Sequence, residues 1–218
     1  MAITDSEIAS AAAEFWTARE HGTQAARHDR IFLELLAREL TSLGWPAQIS
    51  RSFNDTSTVI AGHFRAAKSW DVVCRDSADQ PRICIEFKSQ VDSYGNNENN
   101  RYEEALGSGL DVRAHAHDRG AQVALGFFFV ICDEPASRSI TRERLPDLDP
   151  AFASTSHVDR RIVFAQRIVE YELNGLSLYD AAAVLLIRRD GTVEHPLNPD
   201  LHIANFPGKL AQAAGMRL

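Results

Sequence analysis

Apolar residues recur along the chain at two periods, and these divide it into elements. Ile31, Leu35, Leu36, Leu40 and Leu43 fall at i, i+4, i+5, i+9 and i+12, one stripe of period 3.6. Residues 5–43 therefore predict helix, in two pieces broken near His21-Gly22-Thr23, and Gly44-Trp45-Pro46 closes the second piece with a C-cap glycine followed by proline. Residues 47–68 carry Ser, Thr, Asn and Asp without a period and predict no element. Period two begins at Trp70: strands over about Trp70–Arg75 and Arg82–Ser89, separated by the turn Asp76-Ser77-Ala78-Asp79-Gln80-Pro81, form a hairpin. In its second strand Ile83, Ile85 and Phe87 share one face, and Cys84, Glu86 and Lys88 share the other.

A loop at Val91–Asn97 leads to a helix over about Asn99–His115, with Leu106, Leu110 and Ala105 expected inward. The dense apolar run Gln122–Cys132 predicts a central strand, and Asp133–Ser154 a polar loop. Residues 155–173 form an amphipathic helix with Val158, Ile162, Ala165, Ile168 and Val169 on one side and Arg160, Arg161 and Arg167 among the polar positions. The last buried strand is Tyr179–Arg188, followed by a turn at Asp190-Gly191 and a short helix at Pro207–Gly215. Strands alternating with helices give a mixed sheet flanked by helices, an α/β fold. The expected organisation is one domain, with a helical part over about 1–45 and a core over about 46–218.

Composition narrows the function classes. Hydrophobic content of 44% and charged content of 24% are those of an ordinary globular chain. No apolar run reaches the ~20 residues that span a bilayer, and the N-terminus lacks a signal-peptide pattern, so the expected location is the cytoplasm, away from membranes. Cys74, Cys84 and Cys132 each sit in an apolar run and read as reduced, buried thiols. A net charge of -7 weighs against a nucleic-acid partner without excluding a basic cleft. Of the 23 basic residues only Lys68, Lys88 and Lys209 are lysines, so Lys88 beside Glu86 stands out.

The chemistry collects between Ser69 and Asp111. Two carboxylates on adjacent strands, Asp71 and Glu86, suit a hard divalent cation such as Mg²⁺, which neutralises charge at a phosphodiester. Lys88, about 7 Å along the strand from Glu86, adds a compact charge suited to orienting water or stabilising a transition state. The competing interpretation is a surface Glu–Lys pair with an unrelated aspartate. The run Asn96-Asn97-Glu98-Asn99-Asn100-Arg101 holds half of the chain's eight asparagines. Asparagine pairs bidentately with adenine and arginine with guanine, and both hold phosphates. A helix cap at Asn99 or Asn100 accounts for only one of them. Glu34 is either half of an i,i+4 pair with Arg38 or an auxiliary acid. Glu103 and Glu104 suit a helix N-terminus, and one of them is a second candidate auxiliary acid. Ser89, Gln90 and Tyr94 either contact a DNA backbone or finish the strand. Arg160, Arg161 and Arg167 form a solvated helix face or line a DNA cleft.

The run Trp70-Asp71-Val72-Val73, then Ile85-Glu86-Phe87-Lys88-Ser89-Gln90, then Asn96-Asn97-Glu98-Asn99-Asn100-Arg101-Tyr102-Glu103-Glu104-Ala105-Leu106-Gly107, ending at Asp111, resembles the XhoI family of type II restriction endonucleases. The close match covers about a fifth of the chain. The resemblance implies a PD-(D/E)xK nuclease fold, Mg²⁺ dependence, a homodimer and cleavage of the palindrome CTCGAG with 5′ overhangs. Asp71, Glu86 and Lys88 are then catalytic, with Asp71, Glu86 and the Phe87 main-chain carbonyl on the metal. Ser89, Gln90, Tyr94, Asn96, Asn97, Asn99, Asn100 and Arg101 are then on DNA, and a DNA methyltransferase protects the host. Two other classes stay open: a repair or resolvase-type nuclease that reads DNA structure, and a DNA-binding module without turnover.

Overall fold

Nine consecutive buried residues, Ala124–Cys132, are apolar on both faces because they lie at the middle of a sheet covered on each side. The computed structural model describes residues 3–20, 28–51, 55–95, 98–141, 145–173 and 176–215. Its main sheet has six strands, neighbours in space in the order they occur in the chain: β1 (Ala47–Ile49), β2 (Val72–Arg75), β3 (Pro81–Gln90), β4 (Ala124–Cys132), β5 (Ala181–Ile187) and β6 (Val193–Glu194). The pairs β1–β2, β2–β3 and β5–β6 are antiparallel; β3–β4 and β4–β5 are parallel. The expected hairpin and both expected buried strands are therefore present.

Among the described residues five α-helices flank the sheet: α1 (Asp5–Glu20), α2 (Arg30–Ser42), α3 (Glu98–Asp118), α4 (His157–Glu170) and α5 (Phe206–Ala213). The break expected near His21-Gly22-Thr23 lies outside the described residues. Gly44, at φ 88°, takes the left-handed turn that ends α2. Phe32 of α2 and Phe206 of α5 both meet Phe128, on the face that also carries Phe87. The alternate face carries Glu86, Lys88, Gln90, Phe127 and Phe129 toward α3 and α4. The alternation read along β3 therefore decides which side chains reach the site.

Two expectations about helix faces are overturned. Leu106 and Leu110 of α3 are each 43% exposed, whereas Ala105, Ser108, Gly109, Val112 and Ala116 face inward. Small residues face the interior because the helix lies close: a Cβ at Gly109 would stand 2.7 Å from the Tyr179 ring, and the Tyr179 hydroxyl donates to the Ala105 carbonyl at 2.9 Å. In α4, Arg160 and Arg161 are 8% and 2% exposed, neither a solvated face nor a cleft lining. Arg161 donates to Gln90 Oε1 at 2.6 Å and to the Glu98 carbonyl at 3.3 Å, with its guanidinium 4.6 Å from the Tyr102 ring centroid and 4.9 Å from that of Phe129. Arg160 stands 3.5 Å from Glu98, and Arg167 pairs with Asp149 at 2.7 Å. These arginines fasten α4 to α3, β3 and the loop before α4.

Candidate active site

The ladder between β2 and β3 ends where the chemistry begins. Val72 pairs with Ile85, the Asp71 N–H donates to the Ile85 carbonyl at 3.1 Å, and beyond that β2 parts from β3. The Asp71 carboxylate fills the gap: its Oδ2 accepts the Phe87 N–H at 2.7 Å. Burial, then the charge of Glu86, pushes the Asp71 carboxyl well above the usual carboxylate range.

Glu86 lies one residue earlier on β3, on the α3 side, and is 1% exposed. A lysine stands on each of its oxygens: Lys88 Nζ 2.6 Å from Oε1 and Lys68 Nζ 2.6 Å from Oε2. Lys68 meets Oε2 as an ion pair, and Oε2 remains a buried oxygen without a hydrogen bond. Lys88 also stands 3.4 Å from Glu104 Oε2, which Arg101 meets at 3.1 Å. Burial opposes the charge on Lys88, but Glu86, Asp71 and Glu104 together hold its pKa above the ordinary value. Glu86, Lys88, Lys68, Arg101 and Glu104 line a cleft of about 410 Å³ together with Arg65 and others; Asp71 is not among its lining residues. A cleft of about 580 Å³ beside Arg75 and Arg119 is larger but is lined by neither Glu86 nor Lys88.

The donor set fits a divalent cation. Asp71 and Glu86 offer hard oxygen ligands, and Glu86 Oε2 is a buried acceptor still without a hydrogen bond. Among the described residues no three His, Cys, Asp or Glu side chains cluster as a closed metal cage. Glu86 lines an open cleft, which suits an ion that keeps water and substrate oxygens among its ligands.

The remaining expected site residues separate. Asn99 and Asn100 are exposed in the first turn of α3, which starts at Glu98, so neither caps it. Arg101 and Glu103 line the cleft; Asn96 and Asn97 lie outside the described residues. Gln90 and Tyr94 are taken up inside the protein. The Gln90 amide donates to the Ser93 and Tyr94 carbonyls at 3.2 and 3.0 Å and accepts from Arg161, while the Tyr94 hydroxyl donates to Glu134 at 2.8 Å. Both hold the loop after β3 through these internal hydrogen bonds. Ser89 points to the opposite face and donates to Asp29 at 3.0 Å. Glu34 is 47% exposed and pairs with Arg30 at 2.6 Å, whereas Arg38 pairs with Glu7. Glu34 is therefore a surface ion pair away from the cleft lining, with a different partner from the one expected.

The structure adds Lys68 and the segment before it, in a stretch that predicted no element. Val59–Ala61 and Ala67–Ser69 form a short hairpin. Buried Asp111 pins its turn by accepting the Phe64 N–H at 2.6 Å and Arg65 Nε at 2.7 Å. Lys68 is one of only three lysines, the one signal that could have marked it.

A mixed six-stranded sheet between helices, with aspartate, glutamate and lysine gathered where a hairpin parts, is the arrangement of a restriction endonuclease-like protein. The family model for restriction endonuclease XhoI matches residues 16–195, and the chain belongs to this family of type II restriction endonucleases, site-specific deoxyribonucleases. The type II restriction enzyme BstVI of Geobacillus stearothermophilus is 30% identical over 189 residues, 80% of this chain and 81% of that enzyme. AbrI of Azospirillum brasilense is 33% identical over 104 residues (45% and 46%), and XhoI of Xanthomonas vasicola 30% over 117 (50% and 47%). No solved structure matches the chain.

Proposed function

We propose that the protein cuts double-stranded DNA at a palindrome, CTCGAG or a related sequence, leaving 5′ overhangs, with Mg²⁺ as cofactor and as a homodimer. The observation that carries this reading is Glu86, a carboxylate 1% exposed that keeps one oxygen without a hydrogen bond beside Asp71 and Lys88. Type II restriction endonucleases generally need a divalent metal. Asp71, Glu86 and the Phe87 carbonyl would hold it here; when bound it neutralises charge at phosphorus and acidifies water. Phe87 suits that role because the N–H and C=O of one strand residue point to the same side, and its N–H already meets Asp71.

The side chains supply the rest of the chemistry. Lys88, with its pKa held up by three carboxylates, acts as a charged donor that orients the attacking water and faces the growing negative charge. Hydrolysis adds water across the P–O3′ bond, leaving a 5′-phosphate and a 3′-hydroxyl. Arg101 and the exposed Asn99 and Asn100 at the start of α3 contact DNA beside the cleft, with Asn96 and Asn97 from the same run. A palindrome presents two equal half-sites, which two copies of one surface read. A companion methyltransferase protecting host DNA and action in the cytoplasm belong to the same proposal; among the described residues no helix is long and apolar enough to cross a membrane.

Plasmid DNA of known sequence, incubated with the protein and Mg²⁺ and then end-mapped, tests the proposal. Discrete fragments with a common palindrome at their ends are expected, and Glu86→Ala should abolish them. Cutting confined to branched DNA, or cutting that Glu86→Ala leaves intact, would overturn it.

A further inference from the structure

Glu86 carries more positive charge around it than one carboxylate balances. Lys88 sits on Oε1 and shares itself with Glu104; Lys68 sits on Oε2, and Glu86 is the one carboxylate within its ion-pair reach among the described residues. The Lys68 side chain, 16% exposed, leaves the edge hairpin and lies with Nζ 5.3 Å from the Trp70 ring centroid. Its ammonium therefore occupies the approach to the Glu86 oxygen that has no hydrogen bond. A divalent cation and an ammonium cannot both stand against that oxygen, because like charges a few ångströms apart in a partly buried cleft repel strongly.

We propose that Lys68 is a displaceable counter-ion of Glu86, which must swing off Oε2 when a divalent cation binds and then meets a phosphate of the incoming DNA. The inference rests on the reading of Glu86 as a metal ligand. In the free protein the displaced ammonium gives up the one carboxylate it pairs with among the described residues, so Lys68 weakens cation binding. With DNA in the cleft a phosphate accepts it, so DNA and cation favour each other's binding; such coupling is reciprocal. Lys68 thus delays loading of the metal site until substrate arrives. Lys88 differs because Glu104 gives it a second anchor that does not depend on Glu86.

Calorimetric titration of Mn²⁺ into the DNA-free protein tests this, with wild type, Lys68→Met and Lys68→Arg compared. Lys68→Met should bind Mn²⁺ about tenfold more tightly than wild type. Lys68→Arg, which keeps the charge, should stay near the wild-type affinity. In Ca²⁺, Lys68→Met should bind a duplex carrying the mapped site more weakly, with a salt dependence shallower by about one phosphate contact. Unchanged or weaker Mn²⁺ binding by Lys68→Met would overturn the inference. If circular dichroism shows that Lys68→Met does not fold, Lys68→Gln takes its place under the same criteria. A wild-type protein that neither binds Mn²⁺ nor cuts DNA refutes the nuclease reading itself. One that cuts DNA while Lys68→Met leaves Mn²⁺ affinity unchanged refutes only the role of Lys68.

Discussion

Burying a carboxylate is costly unless opposite charge comes with it. At Glu86 two ammonium groups at 2.6 Å supply that charge, so the residues that offset its burial are those to which the proposal assigns the chemistry. Glu86→Gln keeps the shape and removes a ligand charge; it should lower plasmid cleavage by on the order of 10³-fold while circular dichroism stays unchanged. Asp29, at the start of α2, sits behind the site and accepts the Ser89 hydroxyl. Burial lifts its carboxyl from 3.8 to about 6, partly opposed by Ser89 and nearby cations. Between those values the folded protein holds a proton that the unfolded chain has lost, so this group's contribution to stability falls as pH rises from about 4 to about 6. Asp29→Asn should therefore raise the urea midpoint relative to wild type at pH 8, by about 1–2 kcal/mol of stability, and have little effect at pH 4. A gain at pH 4 equal to that at pH 8 would refute this account. Asp71, Glu86 and Lys88 were legible as residues because their spacing on strands places them; Lys68 was not, because its strand is three residues long and its contact with Glu86 crosses elements.

Among the elements, strands were read more faithfully than helix faces. On β3 a period of two leaves two choices of face, and the apolar set Ile83, Ile85 and Phe87 decides between them. On α3 hydrophobicity misled. Leu106 and Leu110 are its largest aliphatic side chains, yet its buried face is the stripe of small residues that lets it lie against Tyr179. In α4 charge misled in the same way, since Arg161 is buried with its guanidinium over two aromatic rings. Arg161→Met should cost about 2–4 kcal/mol by strand–helix undocking, read as a lower urea midpoint. Cleavage should fall with it, because Gln90 loses the partner that ties the end of β3 to α4. A stability within 0.5 kcal/mol of wild type, roughly the spread of neutral surface changes, would show that Arg161 does not fasten the helix.

For the whole molecule, a net charge of -7 does not strip the cleft of cations: Arg65, Lys68, Lys88 and Arg101 line it together with Glu86, Glu103, Glu104 and Asp111. DNA binding in Ca²⁺ should therefore weaken steeply with salt, and sedimentation with a cognate duplex should give two chains per duplex. One chain per duplex would rule out the two-fold reading of a palindrome. What the sequence by itself determined was local: the order of strands and helices, the alternating faces of β3, and the presence of an Asp, Glu-x-Lys and asparagine-rich run that marks the family. These follow from periodicity and motif, which are properties of neighbouring residues. What only the tertiary structure decided was which polar groups meet. Asp71 reaches the Phe87 N–H across the parting hairpin, Lys68 reaches Glu86 from an edge strand, and Gln90 and Arg161 meet 71 residues apart. Such contacts depend on how elements pack, and no spacing along the chain encodes them.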